Sequence, residues 1–348
     1  MAVYTTIDNP GEHFAVKTFT GSASEQVITG VGFESDLTMI KARDATHAGP
    51  IFFKPVNSGL DHLYYVNTDE NQGAHKMTSY SSDGYTLPNS NEVNQDGVTY
   101  VSWNWKANGT GSSNTDGSIN TTATSANTTA GFSISTYTGT AANATLGHGL
   151  GAAPEYIWIH GNSNAGEWVA YHKGMASDPE TDYLATHSAG VVNDDASVWQ
   201  DTAPSSSIVT IGTYGDINYE AGRTYIMCCW KGIQGFSKFG NYPGTGNADG
   251  AFVYTGFKPA FIITKARDVA DNWWIFDNKR EGYNGGNRAL YGNQHNAEAD
   301  PGWIDFLSNG FKMRNNDVAG NGSGNEYIYI AFAEAPFVNS NGVPCNAR

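Results

Sequence analysis

Two runs of the chain, Tyr225-Ile-Met-Cys-Cys-Trp230 and Tyr327-Ile-Tyr-Ile-Ala-Phe332, are apolar at almost every position. That pattern suits strands covered on both faces. Leu37-Thr-Met-Ile40 and Phe261-Ile-Ile-Thr264 alternate in part, as half-buried strands do. Gly, Asn, Ser and Thr separate the apolar runs, and such turn residues joining short strands predict a β-sandwich or jelly roll. No amphipathic helix is convincing; 284–294 holds at most a helical turn.

The pattern is written three times. The run 31-VGFESDLTMIKARD-44 returns as 255-TGFKPAFIITKARD-268, with Gly32/Gly256, Phe33/Phe257 and the whole Lys-Ala-Arg-Asp tetrad retained. A third copy, beginning at Gly151, shares Pro154 with Pro259. Other blocks follow each copy in the same order. An aromatic block reads 51-IFFKPVNSG-59, 168-WVAYHKGM-175 and 273-WWIFDNKREG-282; a turn and short strand read 81-SSDGYTL-87, 206-SSIVTIG-212 and 307-LSNGFKM-313. The closing block reads 99-TYVSWNWKA-107, 224-TYIMCCWKG-232 and 326-EYIYIAFAE-334, and an aromatic hairpin precedes each copy. The predicted fold class is therefore all-β, with three repeated jelly-roll or concanavalin-like sandwich units of about 100 residues. Residues 1–107 are the first, 131–235 the second, and 236–348 the third with a C-terminal tail. Residues 108–130, rich in Gly, Ser, Thr and Asn, read as a flexible linker. Because the join at 231–235 is short, the second and third units are expected to pack as a rigid pair, with the first more loosely tethered.

Composition narrows the function. The net charge of −15 disfavours nucleic acid and anionic membrane surfaces. No signal peptide is visible at the start, and no apolar run reaches the roughly 18 residues of a membrane span. The three cysteines lack metal-ligand spacing, and Cys228 and Cys229, adjacent on a strand, point to opposite faces. No GxSxG, HExxH or phosphate loop appears. The aromatic block puts Phe53, His172 and Asp277 at one equivalent position, a drift unlike that of a catalytic acid. The expectation is a protein that is not an enzyme and uses no cofactor.

Binding chemistry is the alternative. Exposed aromatic rings stack on sugar faces, and Trp199, Trp303 and one of the Trp273/Trp274 pair, here Trp273, are the surface candidates; the remaining rings read as core. Arg43 and Arg267, in the repeated tetrad, read either as an anion or acidic-sugar site or as strand-end residues paired with a carboxylate of their own unit. Asp194-Asp195 and Asp61/Asp69/Glu70 read as Ca²⁺ ligands or as solvated loop charges, so a metal is left open.

The opening 1-MAVYTTIDNPGEHFAVKTFTGS-22, the block order and the ending 327-YIYIAFAEAPF-337 resemble a marine bacteriophage family of tail fibre or virion structural proteins with repeated concanavalin-like β-sandwich domains. The resemblance spans almost the whole chain and carries no catalytic or ligand residues with it. It implies a protein on the virion surface, assembled in the host cytoplasm, with other virion proteins as partners. Its implied role is a tail fibre or adhesin that recognises host-surface polysaccharide. A capsid decoration protein and, less favoured, a polysaccharide depolymerase are the alternatives. A homo-oligomer, such as a trimer, is expected.

Overall fold

The computed structural model describes residues 4–55, 64–65, 76–162, 166–280, 284 and 287–345, and is nearly all β. The first module holds β1 (Phe14–Thr20), β2 (Gln26–Thr29), β3 (Leu37–Ala42), β4 (Pro50–Phe53), β5 (Tyr64–Tyr65), β6 (Ser79–Ser81), β7 (Gly84–Leu87) and β8 (Thr99–Trp105). In the second are β9 (Ala123–Asn127), β10 (Phe132–Thr138), β11 (Ala144–Gly147), β12 (Tyr156–Gly161), β13 (Val169–His172), β14 (Asp182–Ala185), β15 (Asn193–Asp194), the helix α1 (Ala196–Trp199), β16 (Ile208–Ile211) and β17 (Thr224–Trp230). The third holds β18 (Ser237–Pro243), β19 (Phe252–Tyr254), β20 (Phe257–Ala266), β21 (Trp274–Asp277), β22 (Ala289–Tyr291), β23 (Ile304–Leu307), β24 (Gly310–Met313) and β25 (Glu326–Pro336).

Each module builds one antiparallel main sheet in the same order: β1-β8-β3-β4-β5, β10-β17-β12-β13-β14 and β18-β25-β20-β21-β22, the middle one extended by β9 and β15. A small sheet accompanies each: β2-β7-β6, β11-β16 and β19-β24-β23. The turn glycines are required. A Cβ on Gly84 or Gly310 would stand 2.0 Å from the carbonyl oxygen of Ile28 or Val253 on the facing strand.

The period of two along the main strands sorts side chains into two cores. On β25, Ile328, Ile330 and Phe332 enter a core common to all three modules, whereas Tyr327, Tyr329 and Ala331 face the module's own small sheet. Likewise β8 sends Val101, Trp103 and Trp105 to the common core and Tyr100 to its own sandwich. The common core is aromatic: Phe14 of the first module stacks on Phe332 of the third at 4.9 Å, and Tyr156 of the second on Phe239 of the third at 6.1 Å. Phe53 of the first lies 6.0 Å from Trp168 of the second. Each fully buried ring contributes roughly 1.5–3 kcal/mol by leaving water. A void of about 50 Å³ remains among Leu37, Trp105, Tyr156, Trp230, Phe261 and Phe332. Its lining is apolar, so water gains no hydrogen bonds there.

Three expectations are corrected. Residues 108–130 are no flexible linker. They supply β9, and upstream of it Ser112 bridges Thr124 and Ile119 bridges Leu146. Hydroxyls make this possible: Thr145 N donates to Ser118 Oγ, and Asn108 N to Ser125 Oγ. The first module is no loose tether either, because its Phe14, Trp103 and Trp105 pack on Phe261. Finally, the described residues within 284–294 include β22 and no helix, and among the described residues the α-helix lies at Ala196–Trp199.

Candidate functional site

Two of the three aromatic candidates lie inside. Trp199 is 2% exposed, with Nε1 donating to the Asp182 carbonyl at 2.9 Å and its ring edge-on to Tyr171. It closes α1, whose start is capped by Asp195 accepting from Ser197 N. Trp273 and Trp274 do take opposite faces, yet both are buried, at 3% and 8%, because the common core covers one face and the small sheet the other. Trp303 is half-buried, its ring 4.3 Å from that of Trp274. Trp199 and Trp273 thus have no free face for a sugar, which corrects their surface assignment.

The strand register puts Phe53 opposite Leu37, His172 opposite Tyr156 and Asp277 opposite Phe261, three equivalent places. Each reaches into a different neighbour. Phe53 of the first module meets Trp168 of the second. His172 of the second donates from Nε2 to the Tyr329 carbonyl of the third at 3.1 Å, while its Nδ1 accepts from Gly174 N. Asp277 of the third accepts from Trp103 Nε1 of the first at 3.1 Å. The contacts run first to second, second to third, third to first, a closed ring. Burial drives the His172 imidazole down to about 3, and that of His160, stacked on Trp168, down to about 4. Both stay neutral structural groups. Asp277 is equally committed, to Arg280 Nε at 2.7 Å. That pair, three residues apart in the aromatic block, is visible in the sequence; its complete burial is not.

The two arginines of the repeated tetrad part company. Arg43 is locked across modules: Nε and Nη2 donate to Glu298 at 3.1 and 3.0 Å, and Glu298 N donates to the Arg43 carbonyl at 2.7 Å. Its carboxylate belongs to the third module, not to its own unit, which corrects that reading. Arg267 sits at the matching end of β20. Its backbone is clamped on both sides, with N donating to the Glu326 carbonyl at 3.0 Å and the carbonyl accepting from Val192 N at 2.9 Å. Its guanidinium reaches the Gly174 carbonyl from Nη1 at 3.3 Å and stands 3.8 Å from the Glu326 carboxylate. A guanidinium carries five N–H donors, and this one opens on a groove of about 420 Å³ between the second and third modules. Met175, Ala176, Ser177, Val191, Val192 and Asp268 complete the lining. The Asp268 carboxylate is held by Glu326 N at 3.0 Å. The groove joins apolar walls to one cation and one anion fixed by rigid backbone, a combination that orients a polar ligand.

Asp195 is the helix cap and Asp194 lies in β15, whereas Asp61, Asp69 and Glu70 fall outside the described residues. Among the described residues no three His, Cys, Asp or Glu side chains are grouped to hold a metal ion. Sequence reasoning missed two exposed rings, Phe252 and Tyr254, on the short strand β19. Alternation with buried Val253 is the signal that marks them.

No curated protein matches the chain. One family model, the DUF7483 domain of unknown function, matches residues 9–336, all three modules taken together. The chain therefore belongs to the DUF7483 family.

Proposed function

We propose that the chain is a bacteriophage virion-surface protein, a tail fibre or adhesin component, that binds host-surface glycan without cleaving it. The observation carrying the binding reading is Arg267. Its twin Arg43 is consumed by a two-point bond to Glu298, whereas Arg267 presents a partly uncommitted guanidinium to a groove. That groove is of the size that takes a small polar ligand. An acidic sugar residue suits it, its carboxylate on Arg267 and its hydroxyls on Ser177 and Asp268. The resemblance to phage fibre proteins supplies the setting. In this reading one chain builds, from three modules, the body that a trimeric fibre builds from three chains, and other virion proteins anchor it.

The test is binding of purified host polysaccharide to the intact protein and to Arg267→Gln. Saturable binding that weakens at least tenfold in the variant, falls with added salt and leaves the polysaccharide length unchanged is expected. Equal binding by Arg267→Gln would exclude the groove, and shortened chains would replace binding by depolymerisation.

A further inference from the structure

The strands β2, β11 and β19 each lie at an edge of their module's small sheet, and the three edges are finished differently. In the second module the chain covers its own edge. Residues 117–119 lie along β11, with Ile119 N donating to the Thr145 carbonyl at 3.1 Å and Thr145 N to Ser118 Oγ at 2.9 Å. Ile119 makes a parallel bridge to Leu146. The outward backbone groups of Thr145 are thereby satisfied.

In the third module the matching strand is β19. Met313 N donates to the Ala251 carbonyl and Thr255 N to the Asn309 carbonyl, both at 3.0 Å. Residues 251, 253 and 255 therefore turn their backbone toward β24, and Phe252 and Tyr254 turn theirs to the open side. The Tyr254 carbonyl takes Lys238 Nζ at 2.7 Å. The N–H and C=O of Phe252 have no partner among the described residues. Among the described residues the Phe252 and Tyr254 rings, 50% and 47% exposed, are the most exposed phenylalanine or tyrosine rings after Tyr219. The Tyr254 hydroxyl also meets the Tyr4 hydroxyl at 3.2 Å, and Lys238 Nζ lies over its ring. In the first module the same two places hold Val27 and Thr29.

The geometry points to β19 as a docking edge for an extended segment of a partner polypeptide, added as a further strand in the way residues 117–119 are added to β11. Backbone pairing would supply the bonds, and β-branched apolar side chains at alternate positions of the partner would pack on Phe252 and Tyr254. A second copy is the poorer occupant. Each copy carries a net charge of −15, and β19 against β19 would bring two such bodies together across a strand of three residues. The partner is thus an uncharged or basic strand of Val/Thr type. This inference is independent of the glycan reading, since Arg267 lies at the other end of β20.

The probe is a capped synthetic peptide of alternating Val and Thr, added to the intact protein. Hydrogen exchange is followed at the amides of Phe252 and Tyr254. Both amides are expected to become protected in a saturable way, and the same peptide N-methylated at alternate amides is expected to bind at least tenfold more weakly. Phe252→Pro removes an outward N–H that the fold does not use, and edge strands tolerate proline. It is expected to keep the unfolding midpoint and lose peptide binding. Phe252→Ala, which keeps the N–H, is expected to lose only part of it. Equal binding of the N-methylated peptide, or no protection at saturating peptide, overturns the inference. Protection that grows with protein concentration alone overturns it in favour of a second copy.

Discussion

Asp277→Ala is the sharpest test of how the three modules are held together. The carboxylate has four bonds: Oδ1 accepts from the backbone N of Lys279 and Arg280 at 3.0 and 3.1 Å, and Oδ2 from Arg280 Nε at 2.7 Å and Trp103 Nε1 at 3.1 Å. Arg280 is 2% exposed, and among the described residues its guanidinium keeps hydrogen bonds only to the Ile275 carbonyl at 2.9 Å and Glu298 at 3.5 Å once Asp277 is gone. Removing one member of a buried ion pair costs about 3–5 kcal/mol, chiefly because the other charge is left uncompensated. Arg280 retains a second carboxylate, which argues for the lower end; the orphaned Trp103 N–H adds about 1–3 kcal/mol. The expected loss is about 4 kcal/mol. Domains of 150–250 residues lose roughly 2–4 °C of Tm per kcal/mol, so a drop of about 8 °C is expected for this longer chain.

Scanning calorimetry and tryptophan fluorescence should show the loss in one transition, because Trp103 and Asp277 lie in different modules but in one core. The double variant Asp277→Ala/Arg280→Leu should recover part of it, since no unpaired charge then remains. A single variant within about 1 kcal/mol of the parent, or a double variant that costs the sum of the singles, would refute this account.

Other expectations follow from the same contacts. His172 is neutral in the fold, its imidazole driven down to about 3 by burial. Below about pH 6.5 the unfolded chain takes up a proton that the folded chain refuses, so stability should fall by about 1.4 kcal/mol per pH unit toward pH 3. His172→Asn should flatten that slope in acid denaturation curves. Lys41 is buried and its ammonium lowered to about 7, while Nζ donates to the Gln294 carbonyl of the third module. From pH 7 to 10 the unfolded chain holds the extra proton, so the parent should gain stability relative to Lys41→Met by about 1.4 kcal/mol per unit, measured by urea midpoints. Gly117→Ala places a Cβ 2.3 Å from the Thr145 carbonyl oxygen, so it should destabilise by about 1–3 kcal/mol and open 108–122 to protease. An unchanged digestion pattern would show that this segment is not seated on β11.

Much of the fold is legible in the chain because it rests on a local rule. Side chains alternate along strands, and the all-apolar runs at 225–230 and 327–332 announced two covered faces before either cover was known. The same rule misled on Trp273 and Trp274. It puts the two rings on opposite faces, but the face that a lone sandwich would leave to solvent is here the common core. The 108–130 segment deceived by composition. Ser and Thr read as solvent-loving, yet Ser118 and Ser125 spend their hydroxyls on backbone N–H groups where a covering strand needs them. The fates of Arg43 and Arg267 were hidden for another reason. The same four residues precede both outcomes, and the difference lies in whether a distant loop brings Glu298 or Val192 to the strand end.

The ring of contacts through positions 53, 172 and 277 has a consequence for assembly. A homotrimer must write one residue at all three junctions, and its subunits are interchangeable. Here the junctions carry an aromatic pair, an imidazole on a carbonyl, and an indole on a carboxylate, so each works as a key cut for one lock. Exchanging the second and third modules by rearranging the coding order would set Asp277 against a neighbour with no donor cut for it and leave the Trp103 indole facing an imidazole. Because the three modules share one chain, the three seams need not be alike, and their differences fix which module packs on which.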